Sequence, residues 1–548
     1  MSKIYNLKYL YFVFILLSSP LCSQTKINES EFIALKNFYQ QTEGEHWNIQ
    51  WDFDKDPFYW YGIKLSNGNV TEIKLNGNNL KGKIPSLSAF SNLKRLDLSA
   101  NQLSGSISTI NSISGLTYLD ISENNFEGDI SNELVNNSNL TELNLGKNKF
   151  TLSDSNSFLQ NHTNITHLDL SDLNLKSIPK GLLLMNNLIQ LVLNNNALEN
   201  NYSTISALKS IEYLSLKNNK VTIINDALSQ LSNLKSLNLE ENFLTNSSIQ
   251  NLSQLKNLEW LSLEKNELTS IPSEIQNLKN LLHLNLGRNK ISNGFTHLNS
   301  LIKLQQLWLN NNYIEGNFPF SPSDFPNLMF LSITSNALSG KLPSKLSQIT
   351  DISNNRYTLN EIRNYITENP NQTEFIYSPQ RYDVEKTITT PLGNNALLSQ
   401  SLNIGEGYQI SWLKNLDNPL PATTESLNIN NVKEEDYTKY TAEAYYIDTT
   451  EENVFEIAFF REPITLQNSL NVQDVKKHIN IYPNPTKDYI NIVTSNINVD
   501  ESYIYDMSGK LILQSKQEKI DVSSIPSGAY VISITTSKGI ISYKFIKK

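Results

Sequence analysis

The chain has 548 residues, a formal net charge of −9, and 39% hydrophobic against 18% charged residues. That length exceeds one ordinary core, and the composition is that of a folded rather than a disordered chain. The acidic balance argues against nucleic acid, whose binders carry basic faces, and against anionic lipid held by a polybasic patch.

The amino terminus has the pattern of an export signal. Lys3 and Lys8 flank the start, Tyr9–Leu17 is an uninterrupted apolar run, and Ser18–Gln24 is small and polar. The run is far short of the roughly 20 residues that a membrane span needs, and cleavage is expected near Ser23. The one cysteine, Cys22, falls inside this segment, so the exported chain is expected to lack disulfides and cysteine-based metal sites. As a lipoprotein cysteine, Cys22 would have a poor preceding match in Ser19-Pro20-Leu21.

An amphipathic segment, Glu31–Gln41, comes next, followed by the aromatics Trp47, Trp51, Phe58, Tyr59, Trp60 and Tyr61. Asp52-x-Asp54-x-Asp56 begins like a calcium loop. Pro57 replaces the glycine such a loop requires and Ile63 its closing glutamate, which leaves a solvated turn.

From Val70 a repeat takes over. The pattern L-x-x-L-x-L-x-x-N-x-L starts at Val70, Leu93, Leu116, Leu140, Ile165, Leu188, Ile211, Leu234, Leu258, Leu281, Leu304 and Leu328, at spacings of 23 to 25 residues. Alternate apolar residues, as in Leu96 and Leu98, point one face of a short strand inward. The asparagine turns the chain away, and its buried amide must bond backbone groups of the turn. The asparagines form a ladder from Asn78 and Asn101 to Asn312 and Asn336, broken once by Leu173, where a local irregularity is expected. A degenerate thirteenth turn, Ser347–Tyr357, and a helix over Leu359–Thr367 close the series.

The repeats resemble the leucine-rich-repeat family, in which such units stack into a solenoid whose ends need caps. Ala34-Leu35-Lys36 through Trp60-Tyr61-Gly62-Ile63 resembles the amino-terminal cap of plant receptor-type repeats. The cysteine pair of that cap is absent here, so apolar packing must substitute. Leu80-Lys81-Gly82-Lys83-Ile84-Pro85 is similar to the same class, whereas Lys176-Ser177-Ile178-Pro179 and Thr269-Ser270-Ile271-Pro272 look like bacterial variants.

After Pro370 the period vanishes. Short alternating strands are expected over Tyr408–Leu413, Tyr440–Ile447 and Val454–Phe460. Trp412 and Asp436-x-Thr438-x-Tyr440-x-Ala442 resemble an immunoglobulin-like sandwich without its disulfide, in which the tyrosine bonds back to backbone. The terminal region carries Ile481-Tyr482-Pro483-Asn484-Pro485, Tyr489-Ile490-Asn491-Ile492 and Tyr505-Asp506-Met507-Ser508-Gly509-Lys510. Ile525-Pro526-Ser527-Gly528-Ala529-Tyr530-Val531 and a basic end, Lys544-Phe545-Ile546-Lys547-Lys548, follow. This set resembles the type A carboxy-terminal sorting domain of the bacterial type IX secretion system. The resemblance implies recognition by the outer-membrane translocon, frequent cleavage there, and surface attachment or release of the cargo. Strand patterning alone shows a β-rich module with turns at Met507–Gly509 and Ser527-Gly528.

Catalytic constellations are scarce. The six histidines (His46, His162, His167, His283, His297, His478) lie in no H-E-x-x-H, and neither G-x-S-x-G nor a glycine-rich phosphate loop occurs. Asp97 and Asp120 occupy equivalent places on adjacent strands, within about 5 Å by strand spacing. They are expected to be solvated surface acids; as a pair they would bind a cation or share a raised pKa.

The face beside the inward leucines is richer. Its third position carries Tyr118, His167, Tyr213, Trp260, His283 and Phe330, and its fifth Trp308. Trp260, His283, Trp308 and Phe330 are expected to stack on neighbouring strands, with Arg288, Glu264 and Asn310 beside them. Aromatics are enriched at recognition hot spots; the alternative is a stripe of rings that stiffens the sheet.

The expected fold class is an α/β leucine-rich-repeat solenoid, with short parallel strands and an irregular or 3-10 convex side, followed by two small all-β sandwich modules. The expected segments are a signal (1–23), a cap (24–69), the solenoid (70–373), an immunoglobulin-like sandwich (374–465), a linker (466–477) and the sorting domain (478–548). The expected function is that of an exported, surface-displayed binding protein without cofactor. Its partners would be a protein or glycan on the concave face, through Tyr213, Trp260, His283, Trp308, Phe330 and Arg288, and the secretion machinery. The machinery would read Tyr482, Pro483, Asn484, Pro485, Asp506, Gly509, Gly528 and Tyr530. A passive component of the surface layer and an enzyme with an unrecognised site are the alternatives.

Overall fold

From the second repeat to the twelfth, each repeat places one three-residue strand in the main sheet, because its alternating leucines have only one way to face inward together. In the computed structural model these strands stack in parallel from Arg95–Asp97 to Ile349–Asp351. The structure describes residues 26–153, 157–200, 203–449, 455–468, 478–495, 498–536 and 539–548. The export signal expected over 1–23, with Cys22, lies outside them.

The sheet has 15 strands and opens with the antiparallel pair Ile63–Ser66 and Asn69–Lys74. Behind it the repeat leucines (Leu96, Leu98, Leu119, Leu214, Leu216, Leu261, Leu263) are buried at 0–2% exposure. Full burial of each such side chain is worth about 1.5–3 kcal/mol. The asparagine ladder runs just beside this core. Asn101 Oδ1 accepts from Leu80 N at 2.8 Å, while Nδ2 donates to Leu75 O and Leu98 O, each at 2.9 Å. The residue before each rung is left-handed, as at Ala100 (φ 53°) and Glu241 (φ 54°).

The rung at Leu173 has no amide, and the backbone responds there. Both Asp172 (φ 57°) and Asn174 (φ 52°) are left-handed. The main sheet runs through unbroken, with His167–Asp169 paired on both sides. On the convex side, a four-stranded sheet built by the first four repeats (Lys81–Gly82, Gln102–Gly105, Asn125–Asp129, Lys149–Thr151) stops just before this point. The convex side therefore carries short strands over the first four repeats; beyond repeat five it is largely the short 3-10 turns expected from sequence, such as Ser273–Asn277.

A second asparagine ladder marks the residue before the first apolar position in most of the repeats. Asn139, Asn164, Asn187, Asn233, Asn257, Asn280 and Asn327 each donate Nδ2 to a carbonyl of the preceding repeat, at 2.7–3.4 Å.

The cap begins with the helix Glu29–Gln41, whose start is capped by Asn28 Oδ1 on Ser30 N. Trp47, Trp51 and Trp60 form its core, Trp51 stacking on Trp60 at 4.9 Å. Phe58, Tyr59 and Tyr61 do not join them. They are exposed, because Asp56 caps the 3-10 turn Pro57–Tyr59 and turns those rings outward. Phe38 and Tyr39 of the helix pack on Trp47 instead. Glu31 is buried where the helix meets the first repeat and accepts from Val70 N at 2.6 Å; burial raises its pKa.

At the far end, the helix Leu359–Glu368 is followed by a strand, Glu374–Ile376, that pairs with Ile349–Asp351. Those three residues close the solenoid sheet and do not open the next module, correcting the boundary expected at 374. The following β module runs on to the strand Ile464–Asn468, past the expected end at 465. It holds a seven-stranded and a two-stranded sheet. Trp412 is fully buried and donates to Thr424 O at 2.8 Å, and Tyr440 Oη donates to Asp436 O at 3.0 Å. The last module packs a three-stranded antiparallel sheet against a four-stranded one around Ile490, Ile492, Ile504, Ile532 and Phe545.

Candidate ligand-binding face and sorting module

Parallel register places one third-position residue beside the next along the concave face. The order is Gln190, Tyr213, Ser236, Trp260, His283, Gln306 and Phe330. Neighbouring strands lie about 4.8 Å apart, so Tyr213 and Trp260, two strands apart, have Cα atoms roughly 9.6 Å apart. Ser236 is the small residue between them. The result is a concavity of about 480 Å³ lined by Tyr213, Ser236, Trp260 and His283, with Gln190, Lys235 and Glu259 at its margins. Tyr213 remains 45% exposed.

The six expected ligand-binding residues are divided by the structure. Tyr213, Trp260 and His283 line the concavity. Trp308 and Phe330 form a separate tilted pair, with ring centroids 5.2 Å apart. A single aromatic column does not form, because Gln306 stands between His283 and Phe330 in register and bonds His283 Nδ1 at 2.9 Å. Arg288 lies past the strand in the left-handed turn (φ 53°) and pairs with Glu264 at 3.5 Å. Gln190, Ser236 and Lys235 were not singled out from sequence. The available signal was the serine: one small residue in an otherwise bulky position.

Charge on this face is largely paired. Lys235 Nζ lies 2.8 Å from Glu212, whose hydrogen bond raises the lysine's pKa. Tyr118, nearer the amino terminus, is covered by the Arg95 guanidinium at 3.3 Å. Burial pushes its hydroxyl up to about 12, and the Asp120 and Asp97 charges add to this. Asp97 and Asp120 are direct neighbours in register, but Asp97 is buried rather than solvated. Each closes an Asp-x-Ser turn, Asp97 with Ser99 and Asp120 with Ser122. Burial raises the Asp120 pKa against those hydrogen bonds, with the Asp97 charge adding. Among the described residues, no group of three or more His, Cys, Asp or Glu is placed to hold a metal ion.

In the terminal module, Asn484 behaves as a piece of strand. Its Nδ2 donates to Lys544 O and its Oδ1 accepts from Ile546 N, both at 3.0 Å. Thr486 continues the pairing: its N donates to Ile546 O, and its O accepts from Lys548 N, both at 2.8 Å. Asp506 Oδ1 accepts from Ser508 N and Lys510 N across the turn at Gly509 (φ 87°). Tyr530 Oη donates to Pro526 O at 2.9 Å, and Tyr482 is exposed. Residues 480–548 match the family model described as the secretion system C-terminal sorting domain, and residues 92–112, 115–137 and 232–291 match leucine-rich-repeat models. It is a leucine-rich-repeat protein with a C-terminal sorting domain.

The sorting domain marks this repeat protein for export to the cell surface or extracellular space. Among the described residues, no helix is long and apolar enough to cross a membrane. Among solved structures, the chain is similar to the ectodomain of the Arabidopsis thaliana receptor kinase GASSHO1/SCHENGEN3 in complex with Casparian strip integrity factor 2. Identity is 25% and the TM-score 0.51, over 66% of this chain and 45% of that one. It is similar also to the Arabidopsis HAESA ectodomain in complex with an extended IDA peptide hormone, at 25% identity and TM-score 0.51, over 64% and 62%. A Listeria monocytogenes internalin, inlF, matches at 27% identity and TM-score 0.41, over 50% of this chain and 87% of that one. The chain covers less than two thirds of either plant ectodomain. No curated protein matches it.

Proposed function

We propose that this exported repeat protein is a surface-displayed binding protein that recognises a protein or glycan partner through its concave face. The observation that carries the proposal is the slot at Ser236, with Tyr213 on one side and Trp260 on the other. Rings that only stiffened the sheet would pack on one another, as Trp308 and Phe330 do. Tyr213 and Trp260 are held apart by a serine, and both line an open concavity. Of the two plant ectodomains that share the repeat architecture, one is in complex with Casparian strip integrity factor 2 and the other with an IDA peptide hormone, which favours a protein partner over a glycan. An enzymatic role finds little support in Asp97 and Asp120, whose carboxylates are engaged in turns.

The β module between solenoid and tail serves as a spacer, immunoglobulin-like in its buried Trp412 and its Tyr440 corner. The test is binding of the purified exported chain to arrays of cell-surface proteins and glycans. It is repeated with Tyr213→Ala/Trp260→Ala and, as a control, Trp308→Ala/Phe330→Ala. Saturable binding is expected to fall about 30-fold or more in the first variant, as for a hot spot worth about 2 kcal/mol, and to persist in the second. Equal binding by all three, or none by any, refutes recognition through this face.

A further inference from the structure

We infer that the slot between Tyr213 and Trp260 takes a cation, specifically the planar guanidinium of an arginine side chain on a peptide or protein partner. This inference rests on the concave-face reading above and names the chemistry of its occupant. Two features point to it, one geometric and one electrostatic.

The geometry is a pair of aromatic side chains on strands that are not adjacent, with Ser236 as the floor between them. A Cα separation of roughly 9.6 Å admits one flat group between two rings. A planar guanidinium is the side-chain cation that stacks on aromatic faces, and a ring's negative face attracts a cation held within about 6 Å of its centre. An ammonium gains the charge attraction but not the stacking on both sides.

The electrostatics set the sign of the occupant. Lys235 lies at the margin of the concavity, but its ammonium is held by Glu212 at 2.8 Å. Glu259, on the same margin, makes no salt bridge among the described residues, and its charge acts on the same Lys235. Lys235, Glu212 and Glu259 together leave one uncompensated negative charge beside the two rings. A neutral apolar side chain would fill the slot without answering that charge, and a carboxylate would be repelled by it.

The experiment uses peptide arrays of random hexapeptides that are identical except for one fixed central residue: arginine, citrulline or lysine. Citrulline keeps the planar shape and loses the charge. Each array is probed with the full exported chain and with the Glu259→Gln and Trp260→Leu variants, whose melting temperatures confirm that the substitutions leave the fold intact. The expected result is retention by the arginine set on the order of tenfold above the citrulline set, with lysine in between, and loss of that preference in both variants. Equal retention of arginine and citrulline, or no retention of the arginine set, overturns the inference. If citrulline peptides bind as well as arginine peptides and both are lost in Tyr213→Ala/Trp260→Ala, the concave-face reading stands and only the cation is wrong. If arginine-independent binding survives that double substitution, the concave-face reading itself fails.

Discussion

Replacing Asn242 by alanine tests how the repeat stack is held together. The amide is buried at 5% exposure. Its Nδ2 donates to Leu216 O (2.9 Å), Leu239 O (3.2 Å) and Glu240 O (3.0 Å), and its Oδ1 accepts from Val221 N (2.9 Å). Four lost hydrogen bonds suggest a large penalty, but the carbonyls are shared. Leu216 O keeps Asn219 Nδ2, Leu239 O keeps Asn266 Nδ2, and Glu240 O keeps Asn218 N. Only the Val221 N–H is left unpaired, at a residue with 0% exposure. One orphaned buried donor costs about 1–3 kcal/mol, so the expected destabilisation is about 2–3 kcal/mol, well below a sum over four bonds. The measurements are chemical denaturation and amide exchange, the latter because repeat arrays open locally. Val221 should exchange faster while Leu216 and Leu239 stay protected. A loss below about 0.5 kcal/mol, the scale of an ordinary surface substitution, or unchanged exchange at Val221, would refute the reasoning.

Four further predictions concern the tail, a buried histidine, the cap and the lone cysteine. Asn484→Ala removes both contacts to the terminal strand, so amide exchange at Ile546 should rise and the exported fraction of the chain should fall; unchanged exchange there would show the clasp to be idle. His162 is buried with Nδ1 unpartnered, and burial lowers its pKa from the ordinary 6.5. The folded imidazole therefore stays neutral where the unfolded one takes up a proton. Its contribution is fully present above pH 6.5 and is lost as pH falls through that value. Denaturation midpoints of His162→Gln, compared between about pH 7.5 and about pH 5, should show a shallower decline than the parent. Trp51→Ala should cost about 3–5 kcal/mol by opening the aromatic cap, whereas a reducing agent should leave the melting temperature unchanged, because the only cysteine is Cys22.

Much of this architecture was legible because period and chemistry coincide. Leucine spacing located the strands, and the asparagines located the turns. The tail motifs located the last module, but their contacts did not show in the pattern: that Asn484 clasps Lys544 and Ile546 depends on packing between residues sixty positions apart. At Leu173 the missing amide was visible in advance. The stack tolerates it because the neighbouring carbonyls remain covered, Leu145 O by Asn148, Leu170 O by Asn196 and Ser171 O by Lys147 N. The proposed binding face was only half legible. Aromatic identity marked Tyr213 and Trp260, but large residues draw the eye, and the slot depends on the small one between them. That Phe58, Tyr59 and Tyr61 face outward in the cap was not legible for a related reason: composition reports rings, and a capped turn decides which way they face.

The slot at Ser236 exists because three successive repeats each contribute one side chain, and this makes the solenoid a ruler with fixed gradations. Inserting a repeat between Tyr213 and Trp260 would widen the gap by one strand spacing, about 4.8 Å, and deleting one would bring the rings into contact. Under the proposed reading of the slot, specificity changes by whole steps when repeats are duplicated or lost, and by finer adjustment only when the residue on the floor is replaced. Reshuffling of repeats would then sample a ladder of discrete slot widths while the core, ladder asparagines and export tail remain as they were.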